Sequence, residues 1–198
     1  MRIGWLALAI VVATLTLTAP SARASTSLSG DQQRALDTGE LVVAPLEYAR
    51  GDQHFVGGVS YFVASAPIER LSMVARDPAR WRALLPNVES AELVSVSKAG
   101  VARVRVTHRL GFTRGGYTLV CAFQDHGRFG RFWLDLGADN ALEDGWGFVR
   151  LTPLSDGRTL ITYGLLFDLG PGLLHALFEG RIRRAALEYP RRLAHAAS

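Results

Sequence analysis

A single cysteine, Cys121, stands among 198 residues. No internal disulfide can form, so the chain must be held together by a core that this length is able to bury. The five histidines, at 54, 108, 126, 175 and 195, include no pair at a tight ligand spacing such as His-x-x-x-His, which argues against a metal centre. No internal repeat and no N-glycosylation triplet is present. Charged residues are 20% and hydrophobic residues 48% of the chain, the balance of one ordinary globular domain. A formal charge of +4 and an isoelectric point near 9.7 would suit a nucleic-acid partner. The C-terminal arginines are interrupted by Glu179 and Glu188, however, and the N-terminus reads as an export signal, so no nucleic-acid role is expected.

That signal contains the longest apolar run, Trp5 to Leu17, which is shorter than the ~20 residues a membrane span needs. Arg2 precedes it, Pro20 breaks it, and Ala22-Arg23-Ala24 fits a small-x-small cleavage site. Residues 1–24 therefore read as a cleaved secretory signal peptide. No cysteine lies near the cut to take a lipid. Export without disulfides or glycosylation points to a bacterial periplasm. Residues 25–38 are polar, a linker or a loose helix ending at Gly39, and 39–198 form the domain.

Within the domain, Glu40–Ala44 and Val56–Ser65 read as strands, the second with Val59, Tyr61 and Val63 alternating, and Arg50–Gln53 as the turn between them. Pro67 opens a helix over Ile68–Arg76. Asp77-Pro78 stops it and caps a second short helix, Ala79–Leu85. Six strands follow: Val88–Ser97, Val101–Phe112, Tyr117–Gln124, Phe129–Leu136, Trp146–Pro153 and Thr159–Phe167. Short glycine-rich turns, Thr113–Gly116 among them, separate these strands and favour an antiparallel meander. Alternation sets Val104, Val106, His108 and Leu110 against Arg103, Arg105 and Arg109, and sets Tyr117, Leu119, Cys121 and Phe123 inward. The last strand is apolar on both faces. From Gly172 to Ala196, Leu174, Leu177, Phe178, Ile182, Ala185, Ala186, Tyr189 and Leu193 recur at helical spacing. Pro190 predicts a bend, dividing the helix into Gly172–Tyr189 and a short arginine-rich tail. Such a helix after a run of strands suggests a sheet wrapped around it.

Several segments carry a family likeness. They are Ala66–Arg70 at the strand-to-helix junction, Asp77–Val88 with its tryptophan and Leu-Pro, Val149–Leu154, and Asp156–Tyr163. In this order they resemble the helix-grip fold of the START/Bet v 1 (SRPBCC) superfamily, especially its polyketide cyclase/dehydrase and coenzyme Q-binding START-like branch. The resemblance covers about residues 40–196. It implies an α+β fold in which a curved antiparallel sheet wraps a long C-terminal helix, with two short helices after the first core strand. It further implies a hydrophobic cavity between sheet and helix. It supplies no fixed catalytic motif, because the family holds both enzymes and carriers.

The candidate ligand-binding residues are His108, Tyr117, Cys121, Phe123, Phe132, Tyr163, Leu174, Phe178 and Ile182, with Tyr189 beside them. Each apolar member would equally serve as plain core. His108 can orient a ligand carbonyl or act as a base, or be a satisfied core histidine. Cys121 on the neighbouring strand can approach it as a nucleophile, or be a small hydrophobe. Gly170-Pro171-Gly172 offers N–H groups to an anion or is a plain turn. Arginines 181, 183, 184, 191 and 192 offer peripheral contact with anionic lipid headgroups, or form a solvated helix face. The reading is an exported monomeric carrier of a hydrophobic small molecule or lipid, such as a quinone, fatty-acyl or polyketide-like compound, with no cofactor. Exchange would need movement at Gly111–Gly116, Gly137–Gly145 or the start of the last helix. The alternatives are a cyclase or hydrolase using His108 with Cys121 or Asp135, and an interaction module with a filled core.

Overall fold

The computed structural model describes residues 28–110, 113–170 and 173–198, and the side chains at 110, 113 and 173–179 fall outside that description. The expected signal peptide, residues 1–24, lies outside the described residues.

The polar segment ahead of the domain contains a helix, α1 (Gly30–Asp37). Ser29 and Gln32 form a capping box, in which each side chain accepts from the other's backbone N–H, at 3.2 and 2.9 Å. Leu36 and Val42 are both buried, which seats α1 on the outer side of the first strands.

Strands β1 (Val42–Arg50) and β2 (Gln53–Ala64) form a hairpin. Next come α2 (Ile68–Arg76), a 3-10 turn at Pro78–Arg80 and α3 (Trp81–Leu84). Asp77 both ends α2 and accepts from Ala79 N at 3.0 Å, as the Asp-Pro step predicts. The meander then runs β3 (Val88–Val96), β4 (Ala102–Leu110), β5 (Thr113–Gln124), β6 (Phe129–Leu134), β7 (Asp144–Pro153) and β8 (Thr159–Asp168). All eight strands make one antiparallel sheet in the order β1-β2-β8-β7-β6-β5-β4-β3. β8 returns to pair with β2 and so bends the ends of the sheet around an interior. Thr113–Gly116, expected as a turn, instead lengthen β5, because Gly115 and Gly116 pair with His108 and Thr107.

The register assigns faces. Even-numbered residues of β2, β4 and β6 and odd-numbered residues of β5, β7 and β8 share the concave side. This resolves β8, with Ile161, Tyr163, Leu165 and Phe167 inward. It also assigns the faces of β2, with Val59, Tyr61 and Val63 outward and Val56, Ser60 and Phe62 inward.

The C-terminal segment is two helices, α4 (Leu173–Leu187) and α5 (Tyr189–Ala196), separated at Glu188. The break falls ahead of Pro190, not at it. Proline cannot donate to the carbonyl one turn back and crowds it, so the chain restarts with Pro190 in the first turn of α5, where no donor is needed. The piece after the break is also no solvated tail. Leu193 is fully buried, Pro190 and Ala194 are buried, and α5 packs against α2, α3, β2 and β8. With Leu187 it joins Leu71, Val74, Trp81 and Leu84 over Val104, Val106, Leu151 and Ile161 to make the main core. α4 packs against β2 and β8. The sheet thus grips a helix broken in two, which is the helix-grip arrangement.

Candidate functional site

His108 ends the apolar row of β4. Its Nδ1 lies 3.0 Å from the Pro86 carbonyl oxygen and its Nε2 lies 2.8 Å from the Tyr117 hydroxyl. A carbonyl only accepts, so the ring proton sits on Nδ1, and the bare Nε2 accepts from the Tyr117 O–H. The two rings stack with centroids 5.2 Å apart. Burial lowers the His108 pKa below its usual 6.5, opposed in part by the Pro86 bond, and keeps the imidazole neutral. Burial raises the Tyr117 phenol far above its usual range, and the nearby Cys121 thiol adds to the effect.

Deeper along the concave wall, Tyr163 of β8 stacks on Tyr189 of α5 at 4.4 Å and on Phe132 of β6 at 5.8 Å. Burial pushes both phenols up, so both stay protonated. Neither hydroxyl has a hydrogen-bond partner among the described residues. Ser60 pairs in register with Tyr163, and its Oγ is buried without a partner. Two glycines shape this wall. A Cβ at Gly147 would lie 2.4 Å from the Phe132 ring, and one at Gly130 would lie 2.6 Å from the Phe123 ring. The aromatic rings therefore lie down against the sheet and do not project across the interior. Tyr117, Leu119, Phe132 and Leu165 remain only half-buried on this inner face, whereas Val104, Val106, Leu151 and Ile161 are closed off. The interior is tightly packed below α5 and looser along the aromatic wall.

Across β2 and β4–β8 the concave face carries no Asp, Glu, Lys or Arg. Its polar side chains are His54 at the start of β2, His108, Tyr117, Tyr163, Ser60, Cys121 and Thr159.

The structure brings six of the sequence-derived residues onto this face: His108, Tyr117, Cys121, Phe123, Phe132 and Tyr163. Ile182 is half-buried on α4, and the side chains of Leu174 and Phe178 lie outside the described residues. The proposed Cys121–His108 pair is not formed. Cys121 stands opposite Ala102 and His108 opposite Gly115, roughly 20 Å apart along the strand. Tyr117 takes the histidine's free nitrogen. Burial also pushes the Cys121 thiol up to about 12, which leaves no thiolate to attack. Asp135 is no partner either, since it pairs with Arg103, an outward residue of β4, at 3.1 Å. Gly170 N already donates to Asp168 Oδ1 at 2.8 Å, so that turn serves the chain's own carboxylate, and Pro171 and Gly172 lie outside the described residues. Arg183 pairs with Glu47 of β1, and Arg191 with Glu188. A shallow groove between α3 and α5, lined by Ala79, Arg80, Arg82, Ala83 and Ala196, is separate from the tyrosines. Among the described residues no cluster of His, Cys, Asp or Glu could hold a metal, and no helix is long and apolar enough to cross a membrane.

Sequence reasoning missed Ser60. The alternation that exposes it, Val56-x-Gly58-x-Ser60-x-Phe62-x-Ala64, was present but is less apolar than the opposite parity. The Tyr163–Tyr189 stack joins residues far apart in sequence, and no local pattern announces it.

This architecture, an eight-stranded antiparallel sheet gripping a C-terminal helix, is the helix-grip fold, shared with solved structures that include a START superfamily protein from Mycobacterium smegmatis. Solved structures similar to it include TTHA0849 from Thermus thermophilus (19% identity, TM-score 0.57, covering 70% of this chain and 92% of that one). The Zhui aromatase/cyclase from Streptomyces is similar at 15% identity and TM-score 0.55, covering 79% and 94%. A STAR-related lipid transfer protein fragment from Xanthomonas axonopodis is similar at 12% identity and TM-score 0.53, covering 78% and 98%. Likeness at these identities is likeness of fold. No protein-family model and no curated protein matches the sequence.

Proposed function

We propose that this protein is an exported carrier that holds an uncharged apolar molecule, ring-bearing and with one or two oxygen groups, between the aromatic wall and α4. The observation that carries the reading is the concave face of six strands, which holds no carboxylate, amine or guanidinium but does hold the unpartnered Ser60 hydroxyl. A buried carboxylate or phosphate would find no counter-ion there. A neutral ring could lie on Phe132, Tyr163 and Tyr189, while His108–Tyr117 or Ser60 meets a carbonyl or hydroxyl. Each Å² of apolar ligand surface removed from water contributes ~25 cal/mol. The residue 1–24 segment supports export, and a STAR-related lipid transfer protein and an aromatase/cyclase share the fold. Native mass spectrometry of protein purified from its export compartment tests this. A co-purifying neutral apolar mass is expected, and an empty protein that also fails to take up a neutral fluorophore overturns it.

One observation favours a second reading. Tyr117 donates to His108, so a ligand hydroxyl bonded to the Tyr117 oxygen could lose its proton through the phenol to the imidazole. In that case His108→Gln abolishes turnover and spares ligand uptake, whereas a carrier shows no turnover to lose.

A further inference from the structure

The outer face of β6 and β7 carries a second feature, with no part in the interior site. Outward residues there form three cross-strand pairs: Trp133 with Trp146, Arg131 with Phe148, and Phe129 with Arg150. The two tryptophans are 40% and 48% exposed, although a tryptophan is normally well covered. Arg131 and Arg150 both lie over the Phe129 ring, at 5.9 and 5.2 Å. Neither is in any of the ion pairs found among the described residues, whereas Arg50, Arg103 and Arg114 are bridged to Asp144, Asp135 and Glu89. The apolar row continues sideways from Trp146 through Leu166 and Gly57 to Leu46, and Leu46 and Tyr48 are exposed. α1 covers the other end of this outer face and leaves the row open.

We propose that this convex aromatic–arginine face docks onto an anionic lipid bilayer. Tryptophan and tyrosine place their rings at the headgroup level, and Leu46 adds aliphatic depth. Arg131 and Arg150, held in place by Phe129 and free of carboxylates, meet the lipid phosphates. Charge complementarity thus selects the occupant. The aliphatic row from Leu46 through Leu166 beside the tryptophans sets it apart from a nucleic-acid stacking platform, which needs rings and cations alone.

The test compares the full chain with Trp133→Ser/Trp146→Ser and with Arg131→Glu/Arg150→Glu, using phosphatidylcholine vesicles with and without phosphatidylglycerol. Every substituted side chain is on the surface, so melting temperatures should match the wild type and exclude misfolding. Wild type should bind the phosphatidylglycerol vesicles, with blue-shifted tryptophan emission quenched by brominated lipid. Both variants should bind about tenfold or more weakly. Vesicle binding that survives both substitutions, or that is indifferent to phosphatidylglycerol, overturns the proposal. So does tighter binding of a single-stranded oligonucleotide than of vesicles, or a dimer that the tryptophan substitutions dissociate.

Discussion

At the scale of single residues, the wall holds two kinds of polar group. His108 and Tyr117 satisfy one another. Ser60 keeps a buried hydroxyl with no partner among the described residues. A buried hydroxyl without a bond costs stability and is retained where something else uses it. Ser60→Ala should therefore stabilise the empty protein, by about 1 kcal/mol in urea unfolding. A loss of stability would mean that the hydroxyl is bonded in solution. His108 gives a pH signature. Its folded pKa is depressed below the unfolded 6.5, so as pH falls through 6.5 the unfolded chain takes up a proton that the folded imidazole refuses. Its contribution is complete above 6.5, is lost as pH drops from there towards the lower folded value, and is flat below that. Between about pH 7.5 and about pH 5 the unfolding free energy of the wild type should fall further than that of His108→Gln. Parallel pH profiles would show that the ring is not buried neutral.

Among the elements, α5 carries a fully packed inner face. The arginines and the proline of 190–192 suggest a tail, yet the face they leave, Tyr189, Leu193, Ala194 and Ala197, closes the core. Leu193→Ala should cost about 3 kcal/mol. Ile182→Ala on the half-buried face of α4 should cost clearly less, about 1 kcal/mol, read in the same denaturation series. Equal losses would contradict this division. Much of this level was legible in advance. Local chemistry marks α2 through Pro67 and Asp77-Pro78, and alternation marks the meander. What stayed hidden were the choices made by tertiary contacts. Gly115-Gly116 has turn composition, but pairing with β4 draws it into a strand. Val59, Tyr61 and Val63 outweigh Ser60 in hydropathy, but closure of β8 onto β2 turns Ser60 inward. The helix breaks ahead of its proline because the segment must restart against α2 and α3.

The whole molecule has two faces of opposite character. Arginines on β4, β6 and β7 all lie outside, and the concave face of β2 and β4–β8 carries no Asp, Glu, Lys or Arg. Much of the candidate site could be read from strand parity, since His108, Tyr117, Cys121, Phe123 and Phe132 face inward as alternation requires, while Tyr163 lies on a strand whose faces the sequence left open. The stack of Tyr163 on Tyr189 and the laid-down Phe132 could not, because they depend on how α5 meets β8 and on the space over Gly147. This division predicts selectivity by charge and not only by size. Two naphthalene-based fluorophores make the comparison: N-phenyl-1-naphthylamine, which is neutral, and 1-anilinonaphthalene-8-sulfonate, which adds one fixed anion to a similar ring system. Burying the sulfonate on a wall without cations incurs a desolvation cost that the neutral dye avoids. The neutral dye should bind at least about tenfold more tightly, a difference of roughly 1.4 kcal/mol. Phe132→Ala should weaken its binding and leave that of the sulfonate little changed, because the anion reports on the basic exterior. Raising salt should weaken the sulfonate alone. Equal affinities, or a sulfonate displaced by the neutral dye at stoichiometric concentration, would place a cation inside the grip and refute the uncharged interior.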